Sequence, residues 1–365
     1  MLYSLWISMI PGIGPVNARK LIAFCGSAEA VYREKNQHLT HIPGIGQKFA
    51  ELLRNSKSLQ TAEKELSFCE RYKIRIYSFQ DDDFPFRLKQ CADSPVVMYY
   101  KGNADLNPMR VIAVVGTRKA TAYGKEACRN LIENLAGSNV LIVSGLAYGI
   151  DTCSHRAALD NGLMTVGVLG HGLDRLYPAS NKSLAEKMLS QGGLLTDFPS
   201  GTKPDRENFP CRNRIIAGLC DAIVVVEGAR EGGALITADI ANSYSRDVFS
   251  IPGRWGDPFS EGCNYLISNN KAALIQSPAD FMWQMGWEAA TQNEGQQTLF
   301  RDLTADEELL LRIILENKEI GIDALCLASG FTLNRLSACL LNMELNQILS
   351  ILPGKRYCIG RQPKK

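Results

Sequence analysis

Seven short runs rich in β-branched residues alternate with helical stretches from residue 110 onward. The runs are 111–116, 140–145, 164–170, 194–198, 222–228, 248–253 and 272–276. They are apolar at successive positions, which is typical of strands buried on both faces in a parallel sheet covered by helices. Right-handed crossovers then predict an α/β fold with an extended, doubly wound, Rossmann-like and mostly parallel sheet. Two earlier runs, 74–80 and 96–102, are predicted to extend that sheet.

A short internal repeat occupies the region before the predicted sheet. MIPGIGPVNARKLI (9–22) and HIPGIGQKFAELL (41–53) share an apolar-Pro-Gly-Ile-Gly pattern followed by a helical stretch. Pro-Gly ends the preceding helix, and the glycines allow a tight hairpin whose amides point outward at the next helix start. This pattern resembles the helix-hairpin-helix motif, which binds nucleic-acid phosphate through those amides. Two ordinary helix-turn-helix corners are the alternative, and contact of either copy with DNA is left open.

The region after the predicted sheet begins with a polar stretch, 288–300, which lacks an apolar period and is predicted to be a linker. The segment 301–365 then indicates three helices and a β-hairpin, the order of a winged helix, with Thr332 opening the third helix. We therefore expect a helical domain at 1–69, the sheet domain at 70–287 and the winged helix at 301–365.

Composition indicates the number of domains and the general class of protein, but it does not indicate a reaction or a ligand. The 365 residues predict two or three domains at roughly 150 residues each. Lysine and arginine number 40 against 38 acidic residues, so net charge alone indicates no nucleic-acid partner but is compatible with a local basic groove. Eleven cysteines without a C-x-x-C pair, and four histidines, argue against structural zinc and disulfides. With no membrane-length apolar run and a poor signal peptide, we expect a cytoplasmic protein without membrane contact, metal or cofactor.

The end of the first parallel strand carries the first candidate site. Gly116-Thr117-Arg118 is not a G-x-G-x-x-G loop, and the next strand closes at Ser144-Gly145 without an acidic residue. Dinucleotide binding is therefore disfavoured. A turn of glycine and hydroxyl residues predicts an anion nest, with Arg118 to neutralise the anion. Taken alone, Arg118 is better explained as a surface arginine that follows a strand.

Residues after the second and third strands extend this candidate site. Gly145 and Gly149 are expected to allow close backbone approach, and Asp151 to cap free amides near a helix start. His155 lacks neighbouring cysteine or carboxylate ligands, so we interpret it as a structural histidine rather than a ligand or base. Lys182 lies in the first turn of a later helix and is predicted to face the rim of the site.

The segment 198–221 holds the densest cluster of candidate residues. Arg212-Asn213-Arg214 is predicted to open an apolar helix and to form an anion site from two guanidinium groups and backbone amides. The alternative is a pair of structural arginines bound to neighbouring carboxylates. Gly232-Gly233 begins another predicted helix, whose amides are expected to add a phosphate contact.

Signatures of catalysis are missing from the sequence. It has no paired carboxylates at matched spacing, no Ser-His-Asp order and no G-x-x-x-x-G-K-[ST] loop, so we expect no enzymatic activity. A metal-dependent nuclease is kept as an alternative, because four aspartates lie around predicted strand ends: Asp151, Asp174, Asp197 and Asp221.

Six motifs, in this order, resemble those of the DprA (Smf) family of DNA-processing proteins over about residues 70–286. They are VIAVVGTRKATAYG, VSGLAYGIDTCSHRAAL, VLGHGLDRLYPASN, NFPCRNRIIAGL, GGALITADIA and SIPGRWGDPFSEGCNYLI. The resemblance implies a homodimer, formed through an extended Rossmann fold, that binds and protects single-stranded DNA. It also implies that the protein loads the recombinase RecA onto this DNA during natural transformation and recombination. Helix-hairpin-helix-like and winged-helix domains also accompany this family, although here they match only in outline.

The resemblance also implies which residues contact the DNA. The family's DNA pocket implies contacts from Arg118 of the G-[ST]-R motif and from Arg212-Asn213-Arg214, with Ser144-Gly145 and Gly232-Gly233 in the same motif set. Members often have lysine after the Tyr-Pro pair, whereas this chain has Ala179, and Lys182 is expected to substitute. Two alternatives are kept: a nucleotide-processing enzyme of a related Rossmann-like family, whose P-G-G-x-G-T-x-x-E signature is missing here, and a duplex-DNA-binding winged-helix regulator.

Overall fold

The computed structural model describes residues 1–42, 44–53, 56–287, 304–317, 319–345, 348–352 and 356–359. The chain divides into two compact units, Met1–Glu288 and Ala289–Lys365. The linker predicted at 288–300 lies outside the described residues. The boundary predicted between residues 69 and 70 falls inside the first unit and stays a prediction.

The N-terminal part of the first unit is helical. Its helices are α1 (Leu2–Ser8), α2 (Pro15–Cys25), α3 (Ala28–Arg33), α4 (Asn36–Leu39), α5 (Gln47–Leu52) and α6 (Ser56–Arg71). Each copy of the Pro-Gly-Ile-Gly repeat lies between two helices, α1 and α2 in the first and α4 and α5 in the second. Gly12 and Gly44 occupy the same place in the two turns, with φ of 85° and 87°, a region that favours glycine. Each copy of the repeat therefore forms a similar turn between two helices, and the helix-hairpin-helix interpretation stays a prediction.

A nine-stranded sheet forms the centre of the first unit. Its strands are β1 (Arg75–Ser78), β2 (Val97–Gly102), β3 (Arg110–Val115), β4 (Val140–Ser144), β5 (Thr165–Val168), β6 (Gly192–Thr196), β7 (Ala222–Val225), β8 (Asp247–Ser250) and β9 (Ala273–Leu274). They are ordered β1-β2-β6-β5-β4-β3-β7-β8-β9. Strands β3 to β9 are all parallel to one another, whereas β2 runs antiparallel to both β1 and β6. The predicted Rossmann-like sheet and its extension by two strands are confirmed.

Helices cover both faces of this sheet. They are α7 (Phe86–Lys89), α8 (Ala122–Asn134), α9 (Ile150–Asp160), α10 (Lys182–Met188), α11 (Asn208–Leu219), α12 (Gly233–Ser243), α13 (Glu261–Ser268) and α14 (Pro278–Gln284). In β3, Val111, Ala113 and Val115 pack into the core with α11 and α12, while Ile112 and Val114 pack with α8 and α9. Because successive side chains point to opposite faces, burial on both faces produces the continuous apolar runs of the sequence. The N-terminal helices share a third cluster with β2.

The second unit has the element order of a winged helix. Its elements are α15 (Ala305–Asn317), β10 (Glu319–Gly321), α16 (Ile322–Ser329), α17 (Leu333–Leu345), β11 (Leu349–Leu352) and β12 (Arg356–Ile359). The three helices and the hairpin were predicted, but β10, which pairs with β12, was not. No single helix in the described parts of the chain is long and apolar enough to cross a membrane, although the bent pair formed by α16 and α17 passes on length and composition.

Candidate nucleic-acid interface

The strand order places a crevice beside β3. The chain continues from β3 to β4 on one side, and β7 pairs with β3 on the other side. Ligands of such sheets bind beyond the carboxyl ends of the strands at the point where the order reverses. A cavity of about 430 Å³ lies here, and seven predicted site residues line it: Gly116, Thr117, Arg118, Arg212, Asn213, Gly232 and Gly233.

The turn after β3 is held by the end of β7. The amide of Thr117 donates to the Glu227 carbonyl at 2.8 Å, and the Glu227 carboxylate accepts from the amide of Thr121 at 2.9 Å and from its hydroxyl. A Cβ at Gly116 would lie 2.5 Å from Cγ1 of Ile150, so only glycine fits without rearrangement. Arg118 therefore extends from a backbone whose position is fixed from two sides.

The start of α9 closes against the same turn. Gly149 has a φ of 79°, and a Cβ there would lie 2.1 Å from the Thr117 carbonyl oxygen. The amide of Ile150 donates to that carbonyl at 3.2 Å. The close approach predicted for Gly149 is thus observed, and it brings the first turn of α9 next to Arg118.

A buried arginine and a buried aspartate form the floor of the cavity. Arg212 is 5% exposed and its Nη1 donates to the Val168 carbonyl at 3.0 Å. Asp151 accepts from the Ala147 amide at 3.2 Å rather than capping its own helix. Burial raises the pKa of the Asp151 carboxyl, and the nearby Arg212 charge opposes that rise. A Cβ at Gly145 would lie 1.7 Å from Nη1 of Arg212 and 2.6 Å from Oδ2 of Asp151, so Gly145 makes room for both.

Ser144 and Gly145 therefore support the site from below, and neither is among the residues that line the main cavity. Ser144 is fully buried and donates from its hydroxyl to the Val114 carbonyl at 2.7 Å, across neighbouring strands. Gly145 lines a smaller adjoining cavity that also contacts Arg118 and Arg212.

The cavity carries an excess of positive charge. Arg118, Lys119 and Arg212 line it together with one carboxylate, that of Asp151. Arg118 and Lys119 are exposed, and neither forms an ion pair with any residue that the structure describes. An ionised Asp151 thus balances only one of three cations, which leaves charge available for a bound anion.

The helix α12 directs its N-terminus at this cavity. Gly232 is its N-cap and Gly233 its first residue, and both line the cavity. The amide nitrogen of the Asn213 side chain donates to the Gly233 carbonyl at 3.4 Å, which ties α11 to the start of α12. Unpaired amides in the first turn of a helix, at the positive end of its dipole, favour an anion.

Aromatic rings adjoin the arginines, and the sequence analysis did not single them out. The guanidinium carbons of Arg118 and Arg212 lie 5.0 and 5.9 Å from the centroid of the Phe209 ring. Tyr148 and Tyr177 line the adjoining smaller cavity and remain 48% and 46% exposed. They could have been found in the sequence, because each lies in a motif that also carries glycine or arginine. Exposed rings beside cations are suited to stacking with bases.

The structure corrects the prediction for the Arg212-Asn213-Arg214 run. Helix α11 begins at Asn208, so this run lies beyond the first four residues and does not supply the free amides of a helix start. Residues two apart on a helix lie about 200° apart around its axis. Arg214 accordingly forms an ion pair with Asp197, donates to the Asp93 carbonyl and does not line the cavity. This is the structural arrangement that the sequence left as the alternative.

Two other predicted residues also lie outside the cavity lining. Lys182 is exposed at the first residue of α10, and the DNA contact expected of it stays a prediction. His155 is fully buried, and its Nδ1 lies 2.7 Å from Oγ1 of Thr165. Burial, aided by the Arg212 charge, lowers the pKa of His155 to about 3. This environment agrees with a structural, uncharged histidine.

The aspartates considered for a metal-dependent nuclease are dispersed among separate partners. Asp174 pairs with Arg175, Asp197 with Arg214 and Asp221 with Arg87, while Asp151 lies at the cavity floor. In the described ranges, no group of three or more histidine, cysteine, aspartate or glutamate side chains is placed to hold a metal ion.

Comparison with protein-family models finds two matches. The model described as DNA recombination-mediator protein A matches residues 75–286, which include the whole nine-stranded sheet. The model described as the DprA winged helix domain matches residues 297–355.

Individual relatives and solved structures agree with these matches. Protein Smf of Synechocystis is 30% identical over 390 residues, covering 97% of this chain and 98% of that protein. DNA processing protein DprA of Streptococcus pneumoniae is 42% identical over 213 residues, covering 58% of this chain and 75% of its own length. The crystal structure of that protein has a TM-score of 0.65 at 34% identity and covers 78% of this chain and 98% of that chain.

A structure of DNA processing protein A from Helicobacter pylori, described for its single-stranded DNA binding mode, has a TM-score of 0.54 at 25% identity. It covers 58% of this chain and 95% of that chain.

Proposed function

The chain belongs to the DNA recombination-mediator protein A (DprA, Smf) family, and we propose that it binds single-stranded DNA in the cavity beyond β3 and β7. The observation that carries this proposal is the excess of positive charge in a cavity with aromatic rings beside it. The relative from Helicobacter pylori, whose single-stranded DNA binding mode has been described, supports the choice of ligand.

The proposed contacts divide between phosphate and base. Arg118 and Lys119 bind phosphates from the exposed turn, Arg212 adds its charge from the floor, and the first turn of α12 supplies amides. Phe209 and Tyr177, whose ring centroids are 6.3 Å apart, offer faces on which bases stack. None of these groups requires a particular base edge, so the expected binding has little sequence preference.

Titration of labelled single-stranded and duplex oligonucleotides of one sequence tests the proposal. We expect tighter binding of the single strand, because its unstacked bases reach the rings while its phosphates follow the cations. Equal or tighter binding of the duplex would contradict the proposal and favour a winged-helix regulator. Arg335, at the start of α17, already binds Asp306 through two 2.8 Å hydrogen bonds, which reduces its availability to DNA.

The wider role is proposed from the family resemblance. The protein protects incoming single-stranded DNA in the cytoplasm and loads RecA onto it during natural transformation and recombination, as a homodimer formed through the sheet-containing unit. We further propose that it acts by binding and not as an enzyme. Sedimentation tests the dimer, and RecA assembly on DNA already coated with a single-strand-binding protein tests loading. Release of free base from nucleoside monophosphates would instead indicate a nucleotide-processing enzyme.

A further inference from the structure

A second basic surface begins where the cavity ends. It is an open groove of about 710 Å³ between α8 and α9, here called the α8–α9 groove, and Lys125, Arg129 and Arg156 line it. Arg118 and Lys119 line both this groove and the cavity. The two surfaces are therefore continuous through the turn after β3.

The charge of the α8–α9 groove is almost entirely positive. All five of its lining cations are exposed, and none is in an ion pair with a described residue. Asp160, at the last residue of α9, is the one carboxylate among the groove's described lining residues. Because α9 has 11 residues, the groove follows it for about 16 Å, which is long enough for more than one phosphate.

The thiol of Cys153 lies within the α8–α9 groove. A hydrogen bond from the Cys128 thiol, followed by the charges of Arg129, Lys125 and Arg156, lowers the pKa of Cys153 to about 7, against the opposing effect of burial. Cys153 is half-buried and lines the groove, so a strand lying there would cover it. Its reactivity thus offers a local readout of occupancy.

Tyr148 lies at the junction of the two surfaces. It lines the groove and also the smaller cavity beside Arg118, and its side chain is 48% exposed. The residue before it, Ala147, is held by two hydrogen bonds. The amide of Ala147 donates to Asp151 at 3.2 Å, and the hydroxyl of Thr152 donates to the Ala147 carbonyl at 2.6 Å. A ring on such a backbone is preorganised for stacking.

We propose that the α8–α9 groove is a second phosphate-binding subsite, into which the same DNA strand continues from the cavity after stacking one base on Tyr148. The inference rests on the proposed function, because it requires a strand in the cavity. The geometric support is that unpaired cations follow an exposed aromatic ring along one continuous surface.

Charge neutralisation tests the subsite. We expect the double variant Arg129→Gln/Arg156→Gln to bind a long oligothymidylate about tenfold more weakly, since two exposed ion pairs to phosphate are lost. Its log-log salt slope should become shallower by about 1.4. A short oligothymidylate sized to the cavity should bind as it does to the wild type. The matched control, Arg71→Gln/Lys187→Gln, removes two exposed cations elsewhere and should leave both affinities unchanged.

Alkylation of Cys153 in the wild-type protein gives a second measurement that needs no variant. We expect the long oligonucleotide to slow the reaction of Cys153 with iodoacetamide several-fold, and the short one to have little effect. If the long oligonucleotide gives no protection and the double variant binds it normally, while Arg118→Ala still loses binding, the subsite is wrong and the proposed function stands. If the wild type binds neither oligonucleotide, both proposals fail.

Discussion

Two arginines only two residues apart on α11 occupy opposite electrostatic situations. Arg212 lies at the cavity floor near Asp151, where Arg118 and Lys119 add further positive charge. Arg214 lies outside the cavity, where Asp197 pairs with it and the Asp93 backbone accepts a second bond. The first region keeps an excess of charge and the second does not. We infer that charge left unbalanced, more than the presence of arginine, distinguishes the binding surface from the structural one.

Removing one partner of the Arg214–Asp197 ion pair should have the strongest effect. Arg214→Ala would leave Asp197, whose side chain is only 11% exposed and whose pKa burial already raises, without its partner. We expect a loss of about 3–5 kcal/mol in the free energy of unfolding, measured by urea denaturation. The affinity of the folded variant for single-stranded DNA should stay unchanged.

The double variant Arg214→Met/Asp197→Leu is the control for that prediction. Replacing both charges by apolar groups of similar size should recover most of the lost stability. Undiminished stability of Arg214→Ala together with weakened DNA binding would instead place Arg214 in the DNA site, as the sequence first suggested.

Removing a positive charge from the cavity should weaken the binding of single-stranded DNA. Arg118→Ala should weaken single-strand binding by about thirtyfold, or about 2 kcal/mol, because a charge-assisted contact to phosphate and packing on Phe209 are lost. The melting temperature should not change, since Arg118 is exposed. Lys187→Ala, which removes an exposed cation outside the cavity lining, is the matched control. Normal binding by Arg118→Ala would mean that the site lies elsewhere.

Lowering the pH tests the burial of His155, whose pKa is also affected by the charge of Arg212. His155 titrates near 6.5 when unfolded, but burial and the Arg212 charge lower its pKa to about 3 in the folded protein. The folded state excludes a proton that the unfolded state binds, so stability is lost as the pH falls below 6.5. At pH 5 this amounts to about 2 kcal/mol from His155 alone. The difference in unfolding free energy between pH 7 and pH 5 should shrink in His155→Gln, and an unchanged difference would contradict this account.

Removing the second unit should affect single-strand binding least. Deletion of residues 301–365 should change single-strand affinity by less than about tenfold, or 1.4 kcal/mol, because the unbalanced cations of the cavity belong to the first unit. It should leave the proposed dimer intact. Sedimentation and DNA titration of the truncated protein check both expectations. A monomer, or near-complete loss of binding, would show that the winged helix contributes far more than its paired Arg335 indicates.

The sequence predicted the sheet well because its information is local. Runs such as 111–116 and 222–228 are apolar on both faces, and their strands lie within a few residues of the expected positions. The position of Gly116-Thr117-Arg118 at the cavity was predictable for the same reason, since residues after parallel strands gather at one edge of the sheet. That they form an anion nest stays a prediction.

Other parts of the site depend on three-dimensional position. The start of α11 was placed too late, so the phase of the helix was lost and Arg214 was assigned to the same site as Arg212. Glu227 holds the turn from 106 residues away in the chain, and no local pattern indicates that contact. Gly145 is required by the Arg212 side chain, which a linear motif cannot show.

The salt dependence of single-strand binding decides whether the unbalanced cations of the cavity bind the DNA. We predict that the logarithm of the binding constant falls linearly with the logarithm of salt concentration, with a slope of about −0.7 for each phosphate neutralised. In Arg118→Ala the slope should be shallower by about 0.7, while Arg214→Met/Asp197→Leu should keep the wild-type slope. A flat salt response in the wild type, or a slope that changes with Arg214 and not with Arg118, would contradict the claim that the unbalanced cavity binds the DNA.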